Sequence, residues 1–372
     1  MAGGTTIVIA AGGTGGHIYP GLALAAAIAD VDPTATVSFV GTPRGLEKEL
    51  IPKAGHELDL YDMVQFNAQG AKKVLAPFAL VRASVQGRSI LRRRRADAAV
   101  TMGGYSGIPI VIGARLAGVP AIVHEPGAVP GQANRLAARF TPHVGTSFPT
   151  TTFPGRSVRH VGYPLQASIV DFDRDALRPE ARAAFGLKDD VFFLVVNGGS
   201  QGSLVLNKLA LGLAERWAER TDVRILLKAG PRTHDEIAEA LATNPGRRRV
   251  DLVRFIDRMD HAYAAADMTI GRAGAGTVSE LAAVGVPAIL VPLPHHEHDE
   301  QAHNAQPLVD AGGALMVRDP QATADVVGPM IEERIADPAM LAAMRKAMLD
   351  TARPDAARDL ARWVLELAGR SR

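Results

Sequence analysis

The sequence predicts an α/β protein with two nucleotide-binding-type domains, each built on a parallel sheet. Three observations carry this. Apolar runs of strand length alternate with helix-length amphipathic stretches along the chain. The runs are continuously apolar, which marks strands buried on both faces, and strand–helix alternation implies right-handed parallel crossovers. Glycine-rich turns follow such runs in both halves: Gly12-Gly13-Thr14-Gly15-Gly16-His17, Gly198-Gly199-Ser200-Gln201-Gly202 and Gly271-Arg272-Ala273-Gly274-Ala275-Gly276-Thr277.

The clearest strands, in order, are Thr6–Ala10, Val37–Val40, Ala98–Thr101, Ala121–His124, Phe192–Asn197, Val223–Lys228, Met268–Gly271 and Ala288–Val291. A strand ending at Val161 runs into Gly162-Tyr163-Pro164, and the charged stretch Asp171 to Arg182 follows. The strand–turn–helix pattern restarts at Phe192, so the chain divides into 1–163 and 164–349. The final stretch from about Pro338 reads as helix, broken near Pro354, and the segment of about 350–372 is a closing helix. A glycine turn between a buried strand and a helix leaves N–H groups aimed at a helix N-terminus, where phosphate docks. Such turns in both halves imply two facing domains with a cleft.

Composition narrows the class. The 372 residues are 47% hydrophobic and 22% charged, ordinary for a globular enzyme. With no cysteine, disulfides, thiolate metal sites and a cysteine nucleophile are excluded. No apolar run approaches the roughly 20 residues that span a bilayer. The start lacks a basic region and leads straight into a glycine turn, so it reads as a first strand, not a signal peptide. A net charge of +2 gives no footprint of a nucleic-acid binder. The charge is uneven, however. Lys72, Lys73, Arg82, Arg88 and Arg92 to Arg95 cluster with apolar Val74, Phe78, Val81 and Ile90. That pattern fits either a face resting on anionic lipid or a solvated helix whose apolar side is core.

The turns exclude two chemistries. A dinucleotide fingerprint needs G-x-G-x-x-G and an acidic residue closing the second strand. The first turn has other spacing, and the second strand ends Phe39-Val40-Gly41-Thr42. No Walker lysine follows any turn. In the third turn, Thr277 and Glu280 have capping-box spacing. Equally, the two oxygens of Glu280 suit the vicinal diol of a ribose. Spacing leaves both open.

The ordered set GGTGGH, MGGYSG (Met102–Gly107), His124-Glu125, GGSQG, GRAGAGTVSELAAVGVPAILVPLP (Gly271–Pro294) and DEQAHNA (Asp299–Ala305) resembles the MurG family of N-acetylglucosaminyltransferases, from Ile7 to about Val317. The resemblance implies the glycosyltransferase-B fold, with a C-terminal helix returning to the N-terminal domain. It implies inverting transfer from UDP-N-acetylglucosamine to a polyprenyl-diphosphate-linked acceptor in peptidoglycan synthesis. It further implies a peripheral position on the cytoplasmic membrane face, with no cofactor and no obligatory metal. On the acceptor side it assigns Thr14, Gly15, Gly16, Tyr105 and His17. His17 is either the general base or a phosphate ligand, and Glu125 is the rival base. On the donor side it assigns Ser200 and Gln201 to the diphosphate and Asn207 to the cleft. Ile256 falls to uracil, Glu280 to ribose, Arg272 and Thr277 to the donor motif, and Gln301 to the sugar.

Four departures stand against the family pattern. Gly127 replaces an asparagine after His124-Glu125, and Tyr163-Pro164-Leu165-Gln166 replaces Asn-Pro followed by an arginine. Glu300-Gln301 replaces a glutamine pair, and the loop 295–303 is rich in histidine. Ligand type there suits zinc, but the spacing fits no standard site. The departures open a reading as a MurG-like enzyme with another acceptor, in glycolipid or secondary metabolism. A UDP-sugar epimerase and a non-catalytic UDP-sugar-binding homologue are the readings of other classes.

Overall fold

The computed structural model describes residues 4–61, 71–171, 173–199, 201–294 and 297–370, the side chains of 71–76, 297 and 370 excepted. The chain forms two compact units, Met1–Gln166 with Arg353–Arg372, and Ala167–Ala352.

In the first unit β1 (Thr6–Ala10), α1 (Gly15–Val31), β2 (Thr36–Gly41), α2 (Glu47–Lys53), β3 (Leu58–Leu60) and α3 (Ala71–Arg94) come first. Then follow β4 (Ala98–Thr101), α4 (Ile108–Ala117), β5 (Ala121–Glu125), α5 (Gln132–Ala137), β6 (His143–Thr146) and β7 (Val158–His160). The sheet order is β3-β2-β1-β4-β5-β6-β7, every pair parallel. Alternate residues of β1 explain its apolar run: Ile7 and Ile9 join one core cluster, Val8 and Ala10 the other. Pro109 lies in the first turn of α4, where a missing N–H costs nothing, and Gly118 ends the helix at φ 75.

The second unit begins with α6 (Ala167–Val170), α7 (Arg174–Ala184), β8 (Phe192–Asn197), α8 (Leu204–Arg216), β9 (Val223–Lys228), α9 (His234–Ala242) and β10 (Val250–Val253). It continues with α10 (Met259–Ala265), β11 (Met268–Gly271), α11 (Ala275–Val284), β12 (Ala288–Leu290), α12 (Glu300–Asp310), β13 (Ala314–Met316), α13 (Ala324–Ala336) and α14 (Pro338–Thr351). Its parallel order is β10-β9-β8-β11-β12-β13. The charged stretch after Asp171 folds as α7, capped by the Asp173 carboxylate on the N–H groups of Asp175 and Ala176. Arg178 and Arg182 of α7 bind the carbonyls around Ala265 and pair with Asp267, so that charge is packing rather than linker.

The last helix, α15 (Ala356–Arg370), packs on α1 in the first unit. Leu360, Trp363 and Val364 join the cluster of Ile7 and Ile9. The break at Pro354 lets the chain leave α14 and return.

Both sheets reverse strand order once, between β1 and β4 and between β8 and β11. In open parallel sheets ligands bind outside the carboxyl ends of strands at such a switch point. All three glycine turns lie at these ends.

Candidate active site

The first turn leaves β1 and enters α1 through Thr14, whose backbone is extended and whose hydroxyl caps nothing. The first N–H groups of α1 therefore have no partner inside the helix. Gly12 is crowded, since a Cβ there would lie 2.8 Å from Ser106 Oγ and 2.9 Å from Glu47 Oε1. Glu47 is fully buried beneath the turn. Its carboxylate accepts the N–H of Gly13 at 3.0 Å and the N–H and hydroxyl of Thr42 at 2.9 Å. Burial disfavours its charge, but these bonds outweigh burial and hold the pKa below the usual carboxylate value. Tyr163 donates its hydroxyl to the Gly16 carbonyl at 3.0 Å.

His17 stands in the first turn of α1, half-buried, with its ring against the Gly103-Gly104 backbone after β4. A Cβ on either glycine would come within 3.2 Å of the ring, and both have positive φ. Burial lowers the His17 pKa, opposed by the Gly12 backbone and the charge of Glu47. The imidazole is thus neutral near pH 7 and able to accept a proton. Behind it, fully buried His124 donates Nε2–H to the Gly162 carbonyl at 3.0 Å. Burial chiefly pushes its pKa down to about 4.

Glu125 ends β5 and is 3% exposed. It accepts N–H bonds from Gly127 at 2.9 Å, Gly131 at 3.0 Å and the Asn134 amide at 2.9 Å. Its carboxylate organises the 126–131 loop, and the missing asparagine's position contributes only the Gly127 backbone. Tyr105 is half-buried against the cluster under α4. Switch-point topology thus brings Thr14 to His17 beside Tyr105, with Glu125 one strand further on.

In the second unit, the turn after β8 can only be glycine at Gly202, whose φ is +80 and whose Cβ would collide with the Ala229 carbonyl. Gln201 is exposed; Ser200 lies outside the described residues. Ser203 caps α8 on the Leu206 N–H and accepts from Arg272 at 2.8 Å. Asn207, expected to face a cleft, is instead fully buried. Its amide donates to Ala229 O at 3.2 Å and Thr233 Oγ1 at 3.0 Å, so it braces the turn from behind. Arg272 also turns inward, to the carbonyls of Val291 and Pro292 and to Asp319.

Of the two readings the spacing left open, the cap at Thr277 does not form: α11 starts at Ala275 with Gly274 as N-cap. Gly274 begins the helix three residues earlier than the threonine spacing implied. Glu280 is therefore no capping-box partner, and its Oε2 accepts the Tyr263 hydroxyl at 3.0 Å. Burial raises the Glu280 pKa; the Tyr263 bond opposes this. Ile256 is half-buried in the loop between β10 and α10. Gln301 opens α12 and accepts the Leu293 N–H through Oε1 at 2.9 Å. Asn304 donates to Ala273 O at 3.1 Å and pins α12 to the third turn.

The histidine-rich loop is only partly described: His295, His296 and the Glu297 side chain lie outside. Among the described residues no three histidine or carboxylate side chains converge as a metal site. Glu47, Asn134, Tyr163, Tyr263 and Asn304 were not singled out as site residues by sequence reasoning. None lies in a glycine turn, and each acts on a partner distant in sequence.

The glycosyltransferase family 28 N-terminal domain model matches residues 7–146, and the family 28 C-terminal domain model matches 193–360. A relative from Streptomyces coelicolor is 41% identical over 368 residues, covering 98% of this chain and 99% of its own. One from Nocardioides is 42% identical, covering 97% and 98%. Both are named UDP-N-acetylglucosamine–N-acetylmuramyl-(pentapeptide) pyrophosphoryl-undecaprenol N-acetylglucosamine transferase. The crystal structure of MurG from Acinetobacter baumannii superposes with a TM-score of 0.79 at 26% identity, covering 97% of this chain and 99% of that one. Both domain models fall on the two units, and the relatives match them end to end: the chain belongs to the MurG family of glycosyltransferase family 28.

Proposed function

We propose that the enzyme transfers N-acetylglucosamine from UDP-N-acetylglucosamine to the muramoyl sugar of undecaprenyl-diphosphate-linked muramoyl-pentapeptide, converting lipid I to lipid II. The observation that carries this is 41% identity over nearly the whole length to relatives named for that transfer. The site adds the mechanism. Neutral His17 takes the proton of the acceptor hydroxyl as that oxygen attacks C1 of the donor from the face opposite the diphosphate, inverting C1. Thr14, Gly15 and Gly16 offer the first N–H groups of α1 to the acceptor diphosphate. Glu125, engaged by three N–H donors, positions the loop beside them. Glu280 accepts both ribose hydroxyls, the Gly198–Gly202 turn and Ser200 receive the diphosphate, Ile256 meets uracil, and Gln301 meets the sugar.

The enzyme works at the cytoplasmic membrane face, held by α3. Phe78, Val81 and Val85 share one helix face at spacings of three and four. They are 74%, 64% and 55% exposed, while Ala83, Ile90 and Leu91 fill the core side. Arg82, Arg92 and Arg93 are exposed beside them; the side chains of Lys72 and Lys73 lie outside the described residues. An apolar ridge flanked by arginines fits anionic headgroups. No described helix is long and apolar enough to cross a membrane.

The test is transfer from labelled UDP-N-acetylglucosamine to a short-chain lipid I analogue, with and without chelator. Chelator-resistant transfer is expected, and His17→Ala abolishes it while UDP binding persists. Unchanged turnover in His17→Ala removes it as base. A second reading, an altered acceptor, is favoured by Gly127 and Tyr163, which leave the Glu125 loop and the Gly16 carbonyl with contacts the family pattern would make differently. UDP binding without transfer to lipid I would select it.

A further inference from the structure

A direct displacement breaks the bond between C1 and the β-phosphate oxygen, and the electron pair stays on that oxygen. The acceptor oxygen forms the new bond to C1 and gives up its proton to the base, so the leaving nucleoside diphosphate gains one negative charge. A preorganised cation at that point lowers the barrier. Four of the arginines that follow strands at the carboxyl edge of the second sheet are already paired, Arg272 with Asp319, Arg254 with Asp235, Arg258 with Asp260 and Arg318 with Asp299, and a fifth, Arg232 after β9, is exposed to solvent.

Lys228 differs. It ends β9, in register with Asn197, the residue that leads into the Gly198–Gly202 turn. Its Nζ donates to the Gly199 carbonyl at 3.1 Å, leaving two of its three protons for another acceptor. No carboxylate lies within ion-pair distance of it among the described residues, and burial alone acts on its pKa, downward. The exposed Phe255 ring lies 6.0 Å from Nζ. A desolvated cation without a counter-charge, set against a phosphate-type turn, is incomplete without an anion.

We infer that Lys228 contacts the donor diphosphate in the Gly198–Gly202 turn and stabilises the departing nucleoside diphosphate. This rests on the proposed reading that the turn receives UDP. The alternative is that Lys228 only braces the Gly199 carbonyl. Calorimetric titration of wild type, Lys228→Met and Lys228→Arg with UDP and with uridine separates them. Lys228→Met is expected to weaken UDP about 10- to 100-fold, the range of one charge-assisted bond, with uridine unchanged and Lys228→Arg recovering most of the loss. Equal UDP affinity in Lys228→Met and wild type overturns the inference. So does an equal loss for UDP and uridine, which marks a collapsed turn. Wild-type protein that binds neither would instead overturn the donor reading beneath it.

Discussion

Tyr263→Phe isolates one hydroxyl that acts on Glu280, the carboxylate proposed to hold the ribose diol. Tyr263 is 3% exposed, its hydroxyl pKa is raised well above the ordinary value by burial, and it donates to Glu280 Oε2 at 3.0 Å. A hydrogen bond to a charged group contributes about 1.5–3 kcal/mol, and half-buried Glu280 recovers part of this from water. The expected cost is therefore about 1–2 kcal/mol when Glu280 is ionised. The sign follows from linkage. Burial raises the folded pKa of Glu280 above its unfolded value, near 4.3. Its contribution to stability is full below the unfolded value and is lost as pH rises through the folded one. Losing the Tyr263 bond raises the folded value further, so the deficit of the variant grows with pH.

Unfolding free energies from urea titration should thus nearly coincide for wild type and Tyr263→Phe at about pH 4 and separate by about 1–2 kcal/mol at about pH 8. Donor binding runs the other way. Only the carboxylate accepts both diol hydroxyls, so UDP affinity falls as Glu280 protonates, and in the variant it falls at higher pH. A stability cost equal at both pH values would refute the argument. Coincident UDP–pH profiles would equally refute it, since the tyrosine would then be packing and nothing more.

Gly103→Ala puts a Cβ at φ +104 and 3.2 Å from the His17 ring. It should cost about 1–3 kcal/mol of strain and lower turnover with UDP affinity unchanged; full turnover would show that His17 needs no such seat. Glu125→Gln turns one acceptor into a donor facing N–H groups, and should cost about 2–4 kcal/mol in urea denaturation. Phe78→Ser should reduce partition onto anionic vesicles about tenfold, from about 1.5 kcal/mol of lost apolar burial, and equal partition would remove α3 as anchor. Glu332 is held at about 2, mainly by Arg216 with help from the Trp217 N–H. Its stabilisation is present above its unfolded value and lost as pH falls through about 2, so Glu332→Gln should flatten the acid limb of the stability curve.

The quoted strands were legible because burial on both faces leaves a signal within five or six residues. Thr6–Ala10 and Phe192–Asn197 have the bounds read from their apolar runs, and the switch in helix direction at Pro354 was marked by the proline itself. The glycine turns were legible for the same local reason. Residues that act across the sheet were not. Glu47 serves Gly13 from 34 positions away, Tyr263 serves Glu280 from 17, and Lys228 touches Gly199 from 29. A buried carboxylate and a helical tyrosine look in sequence like any others. Asn207 shows the same limit: a polar residue near a ligand turn suits facing the ligand and bracing the turn alike, and it is the burial of Asn207 and its amide bonds that mark the bracing.

Strand order would have narrowed that gap. A sheet that reverses between β1 and β4 must set the turn after Ala10 beside the turn after Thr101, whatever the chain between them does. His17 against Gly103 and Gly104 follows from that adjacency, and so does a glycine at each point where the ring approaches backbone. The same adjacency of β8 with β9 and β11 brings Lys228 and Arg272 to the Gly198–Gly202 region. Topology cannot say which of these two cations is free. That depends on Asp319, which neutralises Arg272 from a turn beyond β13, and on the absence of any such carboxylate near Lys228 among the described residues. The charge available to a leaving group is thus set by pairing, one level above the motif that locates the site.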